Sequence, residues 1–249
     1  MTTTAVDSWI SFRKPSPKAR LRLFCFPYAG AGALIFRTWS DGLPADVEVC
    51  PVQLPGRGTR LMERPFIHLS PLVEALAQAL APLLDKPFAF FGHSLGALVA
   101  FELTRRIRRE YGVHPARLFV SAGRAPQTPR GGPTIHALPE KELLAELRML
   151  NSVPSQLLEH EELMAIMLPL LRADFSVYET YVYANEPPLN CPISAFGGLQ
   201  DQRVKDCDLE AWRVQTSVSF SRRMFPGDHF FLKQPLLLQG LSEELEQSR

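Results

Sequence analysis

The sequence predicts an α/β protein, with a mostly parallel central sheet flanked by helices in one domain, 1–249, and an inserted helical lid at about 137–184. Three observations lead there. Short apolar runs bounded by proline and glycine recur along the chain. Segments with leucine and alanine at helical spacing separate them, and this alternation is what a parallel sheet with crossover helices produces. Between about Ala137 and Ala184 the alternation fails, leaving helix signals and no convincing strand.

Residues 1–19 are polar and proline-bearing and read as a loose arm. RLRLFCFP, 20–27, is rich in aliphatic and aromatic residues and closed by a proline, as a strand is. VEVCPVQLP, 47–55, is a second strand, and Pro51, having no N–H for a ladder, marks an edge or irregular position. SPLVEALAQALAPLL, 70–84, is a helix with Ser70 placed as its cap and Pro71 at its first position. PFAFFGH, 87–93, is the next strand. The helix after it, 95–112, ends in basic residues and Gly112, which suits a C-terminus. ARLFVSAG, 116–123, CPISAFGG, 191–198, and VSFSRRMFPG, 218–227, supply further strands. In the lid, Leu143, Leu144, Leu147 and Leu150 form one apolar stripe. Leu163, Ile166, Met167, Leu170 and Leu171 form another, which Pro169 is expected to kink or divide. The plainer alternative is two amphipathic helices that simply extend the core.

With 46% apolar and 21% charged residues, the chain can bury a substantial core and is not of disordered composition. A net charge of +1 gives no global reason to expect nucleic acid, and no basic stretch is interleaved with aromatics. There is no run of 18 apolar residues and no basic-then-apolar leader at the start, so a cytoplasmic protein without membrane contact is expected. The lack of a heptad repeat makes a monomer the default. Cys25, Cys50, Cys191 and Cys207 are scattered and form no C-x-x-C, so neither a disulfide framework nor a metal site is expected.

The chemistry centres on FAFFGHSLGALVAFELTRR, 88–106, where a strand signal stops at a serine between two glycines and a helix begins. A strand that turns sharply into a helix needs small residues on either side of the corner, and Gly92 and Gly96 meet that need. Ser94 is then forced out at the carboxyl edge of the sheet, above a helix N-terminus. A hydroxyl attacks only if a base takes its proton, and the base must be oriented by a third group. His229 and Asp201 each stand just past a predicted strand, where reactive groups of such sheets collect. His68, His93, His114, His136 and His160 fit less well. Asp206 and Asp208 rival Asp201, because the loop is long enough to present them; Asp228 adjoins His229 and would have to fold back.

Acyl transfer also needs donors for the developing oxyanion. The Leu95 N–H, opening the helix after Ser94, is one; the other should come from FPYAGAGA, 26–33. That glycine-rich loop is not a dinucleotide fingerprint, since Ile35 stands where the third glycine belongs.

In FCFPYAGAGA, VQLPGRGTRL, PFAFFGHSLGALVAFE, LLRADFSVYETYVY, CPISAFGGLQD and FPGDHFFL, taken in that order, the sequence resembles the type II thioesterases of nonribosomal peptide and polyketide synthetases, within the α/β hydrolases. The resemblance spans nearly the whole chain. It implies an α/β-hydrolase fold with a helical lid, Ser94 as nucleophile, Asp201 as acid, His229 as base, and the N–H groups of Ala29 and Leu95 as oxyanion donors. It further implies hydrolysis of acyl groups from the phosphopantetheine thiol of acyl or peptidyl carrier protein domains, with no metal or cofactor. The chain departs from the family at LNSVPSQ, 150–156, where a glycine-rich turn before a proline is usual in the lid.

Two finer expectations follow. Met164, Met167 and Leu171 should give the lid an adaptable apolar wall over the acyl chain. Between 137 and 185 there are eight acids and three bases, so an acidic carrier should dock on the body instead, with Arg60 and Arg64 as the contact. Arg57 has a competing role as a loop-fixing hydrogen-bond donor, and Arg105, Arg106, Arg108 and Arg109 read as a solvated helix end. An esterase or lipase acting on free esters or acyl-CoA, and a binding module without catalysis, stand as alternatives.

Overall fold

In the computed structural model, which describes residues 8–129, 134–150 and 158–246, the chain forms one parallel sheet. Its strands are Leu21–Phe26 (β1), Val47–Pro51 (β2), Phe88–His93 (β3), Arg117–Ser121 (β4), Ile193–Gly198 (β5) and Phe220–Phe225 (β6). They lie in the order β2-β1-β3-β4-β5-β6, every neighbouring pair parallel. Each strand falls inside its predicted run.

The sheet is covered on both faces, which is why its strands show unbroken apolar runs instead of alternation. In β1, Leu21, Leu23 and Cys25 enter one apolar layer while Phe24 and Phe26 enter the other. Phe90 joins Phe26 and Phe91 faces the opposite way, as the two-residue period of a strand requires. Each buried phenylalanine contributes about 1.5–3 kcal/mol through removal from water. Pro51 sits on the edge strand β2. The other edge, β6, is the one strand with part-exposed charged positions, Arg222 and Arg223.

Among the described residues the α-helices are Trp39–Gly42 (α1), Leu69–Leu80 (α2), Leu95–Tyr111 (α3), Glu140–Met149 (α4), Glu161–Glu179 (α5), Asp206–Glu210 (α6) and Pro235–Glu246 (α7). Helices α2 and α3 cover the Phe24/Phe90 face; α7 covers the other through Leu237, Leu241 and Leu245. Helix α2 starts two residues earlier than predicted, with His68 and not Ser70 at the cap. Helix α3 ends as expected in Gly112, left-handed at φ 66°.

Three sequence expectations need correction. The arm is not loose from residue 8 onward: Trp9 and Ile10 are buried, and Ile10 pairs with Val52 beyond the end of β2. Pro169 does not divide α5, which runs unbroken through it. The buried stripe of α5 is Met164, Leu168 and Leu171, while Leu163 and Ile166 face solvent at 41% and 56% exposure. With Leu143 and Leu147 of α4 these residues form an apolar cluster separate from both sheet layers. Most of the LNSVPSQ segment lies outside the described residues.

After β2 the chain crosses back past β1 to build β3, so the connections reverse direction between β1 and β3. In an open parallel sheet the crevice at the carboxyl ends of such a pair is where ligands bind. The loops after β1 and β3 are FPYAGAGA and the Ser94 corner.

Candidate active site

Ser94 joins β3 to α3 at φ 53° and ψ −113°, a conformation that costs a non-glycine residue on the order of 1–3 kcal/mol. Its N–H donates to the Ser121 carbonyl at 2.8 Å and its carbonyl accepts from the Ala97 N–H at 3.0 Å, so the corner is held from both sides. The flanking glycines are needed for space. A Cβ on Gly92 would stand 2.0 Å from the Gly96 carbonyl oxygen, and one on Gly96 would stand 2.2 Å from that of Phe26.

The Ser94 Oγ lies 3.0 Å from His229 Nε2, and His229 Nδ1 lies 2.8 Å from Asp201 Oδ2. Asp201 Oδ1 accepts from the N–H groups of Arg203 at 2.7 Å and Val204 at 3.2 Å, which fixes the carboxylate plane. Burial works to raise the Asp201 pKa, but the hydrogen bond and charge of His229, with these two N–H groups, hold it below its ordinary value. The loops after β5 and β6 meet closely because Gly198 has no side chain; a Cβ there would lie 2.4 Å from the Asp228 carbonyl oxygen. The rival acids are occupied elsewhere. Asp206 pairs with Arg222 at 3.0 Å, Asp208 accepts from the Lys205 N–H at 2.9 Å, and Asp228 accepts from the Phe230 N–H at 2.9 Å.

Ala29 and Leu95 border the same cavity as Ser94 and His229. Among the described residues, neither backbone N–H donates to a protein acceptor outside the helices and strands. The cavity measures about 450 Å³, and Ile135, Leu150, Phe175, Tyr178 and Val204 make its apolar wall, with Arg124 and Arg203 on the polar side.

The structure moves the expected lid contacts. Met164 and Leu171 are buried at 4% and 1% exposure in the apolar cluster that α5 forms with α4, and neither they nor Met167 lines the cavity. They hold the lid helices together because they lie on the inner stripe of α5. The wall comes instead from Phe175 and Tyr178, one turn apart on α5, and from Ile135 ahead of α4. The RADFSVYE segment carried that signal in its aromatic i, i+3 spacing.

Arg60 is not available to a partner. It is 8% exposed, its guanidinium stacks 4.0 Å from the centre of the Trp9 ring, and it donates to Glu63 and to the Gln53 carbonyl. Folding of residues 8–10 against the body buries it, which the loose-arm reading did not provide for. Arg64 is exposed. Arg57 is buried and takes the loop-fixing role.

Fold and site together define an α/β hydrolase in which serine, histidine and aspartate form a hydrogen-bonded series at the mouth of an apolar cavity. A family model described as the thioesterase domain matches residues 21–247. The gramicidin S biosynthesis protein GrsT of Aneurinibacillus migulanus is 50% identical over 227 residues, covering 91% of this chain and 89% of its own length. Among solved structures, the RedJ thioesterase of the prodiginine pathway in Streptomyces coelicolor is 41% identical with a TM-score of 0.86, covering 92% of this chain and 95% of its own. BorB, a type II thioesterase from the borrelidin biosynthetic cluster, is 38% identical with a TM-score of 0.86, covering 96% and 98%. The chain belongs to the thioesterase domain family. It is a thioester hydrolase of the type II kind.

Proposed function

We propose that this protein frees carrier domains of nonribosomal peptide or polyketide synthetases by hydrolysing acyl groups from their phosphopantetheine thiols. The observation that carries the reading is the Ser94–His229–Asp201 series, 3.0 and 2.8 Å long, opening into a cavity of about 450 Å³. His229 Nε2 takes the Ser94 proton as Oγ attacks the thioester carbon. The tetrahedral oxyanion is received by the N–H groups of Ala29 and Leu95, the latter at the positive end of α3. Collapse expels the pantetheine thiolate, which His229 protonates, and water, deprotonated by His229 in turn, hydrolyses the seryl ester. Asp201 keeps the imidazole in the tautomer that presents Nε2 as acceptor. A thiolate is a good leaving group, so these groups suffice without a metal or cofactor.

Helices α4 and α5 act as a lid over the acyl chain, in a single-domain enzyme that works as a monomer in the cytoplasm. Arg64, exposed on the loop after β2, is the remaining candidate of the expected pair for meeting an acidic carrier. The test is to offer one acyl chain on a carrier protein and as an oxygen ester of a simple alcohol, following acyl release by mass. Preference for the carrier by at least tenfold supports the reading; equal or faster turnover of the free ester would make the protein an esterase.

A further inference from the structure

The loop that supplies Ala29 is fixed by an ion pair that reaches it from the lid. Asp174, on α5, and Arg57, on the loop after β2, are 3% and 6% exposed. Arg57 donates from Nη1 and Nη2 to the two carboxylate oxygens of Asp174, each at 2.7 Å. Both partners also hold backbone. The Gly30 N–H donates to Asp174 Oδ2 at 2.7 Å, and Arg57 Nη1 donates to the Ala31 carbonyl at 3.0 Å. The far side of Arg57 is tied as well, by Nε to the Pro55 carbonyl at 3.3 Å and by its own carbonyl accepting from Gln53 Nε2 at 2.7 Å.

Stability alone does not account for such a pair. Burying two charges carries a heavy desolvation cost, and a well-packed apolar pair of similar volume is often as stable or more so. What an apolar pair cannot do is satisfy the Gly30 N–H and the Ala31 carbonyl. Residues 28–31 form a tight turn, with the Ala31 N–H donating to the Tyr28 carbonyl at 3.0 Å and Gly30 left-handed at φ 79°. In a turn with positive φ at its third residue, the i to i+3 bond does not use the N–H of that residue, so the central peptide is fixed by the turn only through its ends. Asp174 holds it. The preceding N–H, of Ala29, meets no backbone acceptor among the described residues outside helices and strands, and Ala29 borders the cavity it shares with Ser94. Leu171, one turn before Asp174, closes the remaining freedom: its Cδ2 stands 2.6 Å from where a Gly30 Cβ would be.

We infer that Asp174 and Arg57 are positioning residues for the oxyanion site, acting through Gly30 and Ala31 on the Ala29 N–H. Because Asp174 belongs to α5, seating of the lid helix and assembly of the oxyanion site are one event. The inference rests on the thioesterase mechanism proposed above.

The test uses Asp174→Asn and Arg57→Lys, with Ser94→Ala as reference. Three quantities are measured: steady-state hydrolysis of an acyl carrier, affinity for a thioether analogue that cannot be cleaved, and affinity for an alkyl boronic acid that becomes a tetrahedral anion on Ser94. Loss of an oxyanion donor lowers kcat by about 100- to 1000-fold, and misplacement should cost about ten- to 100-fold. The expected result is a fall of that size in both kcat and kcat/KM, a parallel loss of boronate affinity, and thioether affinity within about twofold of wild type. Arg57→Lys keeps a buried cation beside Asp174 while removing the fork, and is decisive should Asp174→Asn not fold. Near wild-type kcat, or a loss matched by a smaller fraction of boronate-titratable sites with affinities unchanged, overturns the inference. Activity retained in Ser94→Ala would instead overturn the underlying mechanism.

Discussion

His93, the residue before the candidate nucleophile in sequence, anchors the candidate base: its Nε2–H donates to the backbone carbonyl of His229 across 2.8 Å. A carbonyl can only accept, so Nε2 carries the proton. Nδ1 therefore accepts from the Ser121 hydroxyl, at 2.9 Å. The ring is fully buried. Burial first, and the neighbouring His229 second, push its pKa down to about 3, which keeps it neutral. The strand that delivers Ser94 thus also holds the loop that delivers His229.

His93→Ala should orphan the Ser121 hydroxyl and free the His229 carbonyl, at a cost of about 1–3 kcal/mol for each unsatisfied group. Turnover should fall by ten- to 100-fold with KM little changed, because the base loses its support and the cavity keeps its walls. Wild-type kcat in a folded His93→Ala protein would show that the loop holds itself.

The same histidine makes stability depend on pH. Its folded pKa lies near 3 and its ordinary value is 6.5, so below 6.5 the unfolded chain takes up a proton that the folded chain refuses. Stability from this source is fully present above about 6.5 and is lost progressively towards 3, at up to about 1.4 kcal/mol per pH unit. Asp201, held below its ordinary 3.8, adds a loss of the same sign at still lower pH. Unfolding midpoints should therefore be flat from pH 8 to 7 and fall from 6 to 4, less steeply in His93→Gln. Identical slopes in the two proteins would contradict the assignment.

Gly96→Ala should be severely destabilised, since its methyl would stand 2.2 Å from a backbone oxygen of β1. The expected loss is about 4 kcal/mol or more. Gly112→Ala is the control: nothing lies within 4 Å, so only the left-handed backbone matters, at roughly 1–2 kcal/mol. Chemical denaturation of both variants measures the contrast, and a soluble Gly96→Ala protein with wild-type stability would refute the steric account of the corner.

How far the sequence could be read depended on the range of the interactions involved. The strands were legible because a sheet covered on both faces demands unbroken apolar runs, and the Ser94 corner because its glycines answer a local steric need. Helix α7 went unread although its signal was present, in Pro235 at the first position and leucines at 237, 241 and 245. Arg60 and Asp174 were not legible at all. Their roles depend on Trp9 and Arg57, partners distant in the chain that only the fold brings near. The α5 stripe was misread because Leu163, Met164, Met167 and Leu168 are all apolar, and periodicity alone does not choose which face turns inward.

The lid should separate stability from selectivity. Phe175→Ala widens the cavity wall and should shift the preferred acyl chain towards longer or branched groups at modest cost in stability. Met164→Ala empties a packed cluster, costs about 2–5 kcal/mol and should leave the acyl preference unchanged. A panel of acyl carriers assayed beside unfolding curves distinguishes them, and a preference shift in Met164→Ala alone would return the methionine to the wall.

The most direct test is acyl release from a loaded carrier protein by Ser94→Ala, followed by the mass of the carrier and checked against wild-type circular dichroism. Loss of more than 99% of activity in a folded protein is the expected result, with His229→Ala reduced comparably and Asp201→Asn somewhat less. Release at more than a few per cent of the wild-type rate by folded Ser94→Ala would mean that another group attacks the thioester.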